Sequence, residues 1–157
     1  MVLERFPDFW SHELVSLTSE PLTARLATTG RHWSPRATGF EIKPLPGAPD
    51  PADTPPRRLR QMREIARRFA FEDRGAKDEL YELRLMPHPV HRYQAADAGL
   101  VDGALFVFAY GTNPQALLVI ELHRDKEAMN WHYGCARVSG DAVSATLDGK
   151  PVFAVAL

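Results

Sequence analysis

Two short runs constrain this chain more than any other feature: ALFVFAY over residues 104–110 and LLVIEL over 117–122. Each is short for a helix and apolar on both faces of a period-two strand, the pattern of a strand buried on both sides. They predict the centre of a sheet that carries material on each face. GTNPQ (111–115) lies between them and reads as a turn, with Gly111 and Pro114 breaking the strands and Asn113 tolerating unusual dihedrals.

The segments around this pair extend the sheet. YELRLM (81–86) places Tyr81, Leu83 and Leu85 on one face and Glu82, Arg84 and Met86 on the other. WHYGCARV (131–138) is a further strand, SGD a tight turn, and AVSATL (142–147) alternates with Val143, Ala145 and Leu147 inward. Asp148-Gly149 is a two-residue hairpin signal leading into PVFAVAL. Six consecutive strands with short turns predict an antiparallel meander.

Upstream, PLPGAPDPADTPP (44–56) holds six prolines in thirteen residues and reads as an extended linker. It ends as a helix start, with Thr54 placed to cap and Pro55 and Pro56 in a first turn that tolerates missing N–H groups. The helix is predicted from Arg57 to about Phe71. Leu59, Met62, Ile65, Ala66 and Phe69 form its apolar stripe; Arg57, Arg60, Arg63, Glu64, Arg67 and Arg68 form the opposite arc, and Gly75 is the expected stop.

The expected class is therefore α+β and mostly antiparallel β. It is a curved meander of about six strands packed on one amphipathic helix, plus an N-terminal hairpin. Residues 1–43 would carry that hairpin, 44–56 the linker, and 57–157 the helix and sheet, together one compact domain. A chain of 157 residues can bury a proper core.

The N-terminal hairpin is inferred from an echo. With Trp10 aligned on Trp131, Glu20 meets Asp141, Leu22 meets Val143, Thr23 meets Ser144, Ala24 meets Ala145 and Leu26 meets Leu147. With one gap, GRHW (30–33) meets GKPVF (149–153). One reading is that both are the last hairpin of the same kind of β unit; the other is that alternation makes any two amphipathic hairpins look alike. An isolated hairpin is marginal in water, so the first must dock on the rest of the chain, extend its sheet edge, or complete another chain.

The stretches WSPR, EIKPLPGAP, ADTPPRRLRQMREIARRFA, ELRLMPHPVHRY, DGALFVFAYGTNPQALLVIEL and GKPVF resemble a group of functionally uncharacterised bacterial proteins. Those proteins carry two such β units in tandem, joined by the Pro-rich linker and the Arg-rich helix. The resemblance covers nearly the whole chain, implies the repeat, and implies no activity and no catalytic residues.

Composition excludes some partners. The net charge is −1, so no global field draws the chain to nucleic acid or an acidic membrane. The opening MVLERFPDFWSHELV interrupts any apolar run with proline and charge, unlike a signal peptide, and no window approaches the ~18 apolar residues of a membrane span. The single cysteine, Cys135, allows no internal disulfide and fits a reducing, cytoplasmic compartment.

Candidate chemistry is sparse. HPVH (88–91) has metal-like spacing, but Pro89 imposes an extended backbone and no nearby Cys, Asp or Glu completes a set; no metal and no cofactor is expected. His123 and His132 can approach across the 117–122/131–138 hairpin, with His88 in reach. The plain reading is solvent-facing strand residues and the sharp one a zinc site. Glu121, between Ile120 and Leu122, is either buried with a raised pKa or faces an Arg or the sheet edge. Cys135 reads as a buried structural thiol. No GxSxG, HExxH or phosphate-cradling loop occurs.

The helix segment RRLRQMREIARR sets six arginines against one glutamate, making Arg60, Arg63, Arg67 and Arg68 candidates for an anion or acidic partner. The alternative is a solvated face, since Glu64 is four residues from both Arg60 and Arg68 and FEDRGAKDELYE supplies further acids. Nucleic acid is disfavoured because the basic excess does not extend over a domain. Trp10, Trp33, Trp131, Tyr81, Tyr93, Tyr110 and Tyr133 would form either half a core or an exposed aromatic row that binds a carbohydrate or peptide.

Two functions follow as expectations. The first is a non-enzymatic β-rich interaction or assembly module that binds itself or a protein partner through the sheet edge and the N-terminal hairpin. The alternative is a small-ligand binder or enzyme with a pocket between helix and sheet, using His91, Glu121, His123 and His132.

Overall fold

Backbone pairing organises this computed structural model, which describes residues 2–5, 10–13, 15–18, 23–25, 27, 30–34, 40–75 and 77–156. The elements in chain order are β1 (Val2–Arg5), β2 (Trp10–Glu13), β3 (Ala24–Arg25), β4 (His32–Trp33), β5 (Lys43–Pro44) and α1 (Pro55–Ala66). There follow β6 (Phe69–Arg74), β7 (Leu80–Leu85), β8 (His91–Ala95), β9 (Leu100–Tyr110), β10 (Asn113–Asp125), β11 (Ala128–Arg137), β12 (Ala142–Leu147) and β13 (Lys150–Val155).

The main sheet runs β13-β12-β6-β7-β9-β10-β11-β5, with β8 also paired to β9, and all its pairings are antiparallel. It curls into a half-barrel. Register shifts in β10 between Pro114 and Ala116 and between Leu122 and His123, in β8 between Tyr93 and Ala95, and in β12 between Ala145 and Thr146 supply local bending. The doubly apolar runs lie in β9 and β10, at the middle of the sheet. Leu118, Ile120 and Leu122 join Met62 and Ile65 of α1 in one core cluster, while Leu117 and Val119 join Val107, Ala136 and Phe40 in a second, on the other face. Val15 packs against that second cluster. Full burial of Met62 and Ile65 contributes about 1.5–3 kcal/mol each.

Several expectations are corrected. The helix ends at Ala66 rather than near Phe71, because Phe69, Phe71 and Asp73 alternate inward as β6. Gly75 accordingly lies in the β6–β7 turn, where its N–H reaches Glu79 O at 3.0 Å. Thr54 holds the N-cap position without a side-chain cap bond; Pro56 leaves the hydroxyl one amide fewer to meet. Asn113 and Pro114 belong to β10, where Pro114 sits at a register shift and the strand continues past it.

The strand succession is not a simple meander. β12 returns to pair with β6, and β6 lies between β12 and β7. Inward positions are as expected in β12, where Val143, Ala145 and Leu147 are buried. Asp148 and Gly149 take positive φ of 50° and 76°, the paired left-handed conformation of a two-residue hairpin turn.

Among the described residues, β1 pairs only with β2 and β3 only with β4, so strand 24–25 does not join the main sheet. Glu20, Leu22 and Leu26, three positions of the echo, lie outside the described residues. The proline segment is strapped down. Leu45 N–H bonds Trp131 O, Ala52 N–H bonds Gln61 Oε1, and Arg68 reaches the Pro46 and Gly47 carbonyls. No helix among the described residues is long and apolar enough to cross a membrane.

Candidate functional site

Antiparallel register places Tyr93, Gly103, Glu121 and His132 opposite one another across β8, β9, β10 and β11. Period-two alternation turns Glu121 away from Ile120 and Leu122, toward the face opposite α1. There the Tyr93 hydroxyl donates to Glu121 Oε1 at 2.7 Å, and His123 Nε2 meets Glu121 Oε2 at 2.7 Å. The His123 and His132 rings stand edge-on at 4.9 Å, and the His91 ring stacks on Tyr93 at 5.6 Å. His91, Glu121, His123 and His132 thus gather in one cluster. Burial, followed by the Glu121 contact, raises the Tyr93 pKa, which keeps its hydroxyl a donor.

Gly103 makes this arrangement possible. A Cβ there would stand 2.9 Å from the Tyr93 ring, so only a bare backbone lets the ring lie across β9 and reach Glu121. Gly103 was not singled out from sequence, and Tyr93 only as one of seven aromatics; the signal available was a tyrosine alternating with His91 in HRYQA and a glycine inside a mostly apolar strand.

The partners assign the ring protons. A carboxylate that already accepts from Tyr93 also accepts from His123 Nε2–H. His132 Nδ1 faces the Asn130 carbonyl at 3.1 Å, so it donates. Among the described residues Glu121 meets Tyr93 and His123 and no arginine, and β10 lies between β9 and β11 and not at the sheet edge. His88 does not join: its Nδ1 accepts from Arg63 Nη2 at 2.9 Å. Among the described residues no three His, Cys, Asp or Glu side chains come together as a metal set.

His132 also borders a cleft of about 480 Å³ at the β11 edge. The proline segment, with Pro44, Pro49, Asp50 and Pro51, forms one wall, and the β10–β11 hairpin, with Asp125, Met129 and Trp131, forms the other. Trp131 is buried and its Nε1–H has no partner among the described residues.

The four arginines proposed as an anion site separate. Arg60 pairs with Glu64 at 3.0 Å, and Arg68 pairs with Asp148 at 2.7 Å. Arg63 and Arg67 line a different cleft, between α1 and the end of β7. A space between helix and sheet therefore exists, but it is lined by arginine; the His and Glu residues lie on the opposite face. The side chains of Trp10 and Trp33 lie outside the described residues; among the described ones the aromatics form no continuous row. Trp131 and Tyr133 enter the core on the α1 side, Tyr93 packs on the other face, and Tyr81 meets Tyr110 at 4.7 Å.

Sequence reasoning also missed the buried ionic centre. Asp102 is completely buried and accepts from Arg58 Nε at 2.8 Å, Arg92 Nε at 2.9 Å and Arg92 Nη2 at 2.6 Å. Burial alone would raise its carboxyl pKa; the hydrogen bonds from the two guanidiniums reverse that and hold it below the ordinary value. Arg58 also bonds the Ala52 and Asp53 carbonyls, and Arg92 the Pro55 carbonyl, so the triad locks the helix start onto the sheet. Cys135 is buried, and burial pushes its thiol up to about 12, as suits a structural cysteine.

Comparison with known protein families, curated proteins and solved structures finds no match to this chain.

Proposed function

We propose that the chain is a non-enzymatic interaction module that receives a cationic, extended segment of a protein partner at the β11 edge. The observation that carries this reading is a pair of acceptor carboxylates in a cleft beside an open edge. The Asp50 and Asp125 carboxylates line that cleft together with His132 and Trp131. β5 pairs only with His132 and Tyr133, leaving Ala128–Asn130 of β11 without a strand beyond them among the described residues. An added strand would use that edge, and its Lys or Arg side chains would meet the acceptors. The opposite edge is less suited to self-pairing, since β13 begins with Lys150 and Pro151, residues that blunt an edge. This favours a different protein over a second copy.

The N-terminal echo supports an origin in paired β units. Ala24 pairs with Trp33 in the first hairpin, and the matched residues Ala145 and Phe153 pair in the second.

The test is calorimetric titration with a six-residue peptide alternating Arg and Val, against the same peptide with Glu for Arg. The Arg peptide should bind, and Asp125→Asn and His132→Ala should each weaken it about tenfold, a loss of roughly 1.4 kcal/mol. Equal affinity for the two peptides, or none for either, would sink the proposal.

A further inference from the structure

Arg63 and Arg67 sit four residues apart at the end of α1, on the same flank of the helix. They line a cleft of about 260 Å³ whose floor is apolar: Leu85, Met86 and Pro87 from the end of β7, and Phe106 from β9. Of the neighbouring arginines, Arg58 is committed to Asp102, Arg60 to Glu64 and Arg68 to Asp148. Among the described residues no carboxylate meets Arg63 or Arg67. Arg63 Nε is buried without a hydrogen-bond partner, while Nη2 is fixed by His88. A buried, unmatched donor beside a second unpaired guanidinium, over an apolar floor, is the half of a recognition site that an anion completes.

We infer that this cleft binds a small organic acid: its carboxylate on the forks of Arg63 and Arg67, its apolar body on Leu85, Met86, Pro87 and Phe106. The cleft falls just below the usual range of ligand pockets, about 300 Å³ and upward, which suits a single ring or a short branched chain. Inorganic phosphate would satisfy the guanidiniums but leave the floor bare. The site is separate from the β11-edge cleft and of opposite charge preference, so either can fail without the other.

Benzoate, neutral benzamide and inorganic phosphate are titrated into the full chain, followed by amide chemical shifts and thermal denaturation. Benzoate should bind saturably, move resonances of residues 63–67 and 85–87, and raise the melting temperature. Benzamide and phosphate should each bind at least tenfold more weakly. Arg67→Gln, an exposed substitution that leaves the core intact, should weaken benzoate about tenfold, and Arg67→Lys should not restore it, because a single ammonium cannot present a fork. The inference is overturned if benzoate fails to saturate by about 10 mM, well above a millimolar Kd. Benzamide or phosphate binding as tightly as benzoate, or an unchanged affinity in Arg67→Gln, would overturn it equally.

Discussion

Replacing Asp102 by alanine tests the energetic centre of the fold. The carboxylate accepts three hydrogen bonds from two guanidiniums, and its removal strands Arg58, whose side chain is only 9% exposed, without a counter-charge. Arg92, 30% exposed, can turn toward water and relieve part of the loss. Breaking a buried pair of this kind costs about 3–5 kcal/mol. For a chain of this size each kcal/mol is worth roughly 2–4 °C, so the melting temperature should fall by roughly 6–20 °C.

The contrast is the triple replacement Arg58→Met, Asp102→Leu, Arg92→Met, which removes all three charges and should recover most of the loss, since apolar groups carry no desolvation penalty. Acid should have a related effect. The folded-state pKa of Asp102 is depressed, so the unfolded chain binds the proton more readily. The stabilisation is complete above the ordinary carboxylate pKa, near 4, and disappears as pH falls through the folded-state value. Urea unfolding of wild type and Asp102→Ala across pH 2–7 would show the gap closing at the acid end. A variant within about 1 kcal/mol of wild type at neutral pH, or a gap that widens in acid, would refute the account.

Two further perturbations probe the outer face and the core. Gly103→Ala should cost about 1–3 kcal/mol by displacing the Tyr93 ring from Glu121, read by denaturation together with loss of the downfield-shifted Tyr93 hydroxyl proton; a neutral substitution would contradict the close approach. Cys135, with its thiol raised by burial, should resist a disulfide reagent at pH 8 while folded and react at once in denaturant; rapid labelling of the native protein would show the thiol to be accessible.

The sequence was most informative where side-chain period is decided locally. The doubly apolar runs of β9 and β10, the Met62–Ile65–Ala66 stripe and the Asp148-Gly149 turn follow from spacing and from backbone preference, which act within a few residues. Phe69 shows the limit. It continues the helical stripe from Met62 and Ile65, and it also begins the alternation with Phe71 and Asp73; only the ladder to β12 and β7 decides for strand. HRYQA carries almost no apolar signal, and β8 exists because β9 is long enough to pair with β7 at one end and β8 at the other. The candidates His91, Glu121, His123 and His132 were named from residue type; that they meet one another, and on the face opposite α1, was decided by strand register.

The chain by itself determined a mostly β fold with one helix, a core drawn from its central strands, and the inward residues of β12, because these depend on neighbours close in sequence. Tertiary structure alone decided that β6 stands between β12 and β7 and that Arg58, Arg92 and Asp102 share one buried centre. It also decided that Tyr93 reaches Glu121 across Gly103 and that, among the described residues, two of the four candidate arginines meet no carboxylate. Each of those outcomes is a distance between residues remote along the chain, and local pattern carries no information about which distant strand or charge will arrive.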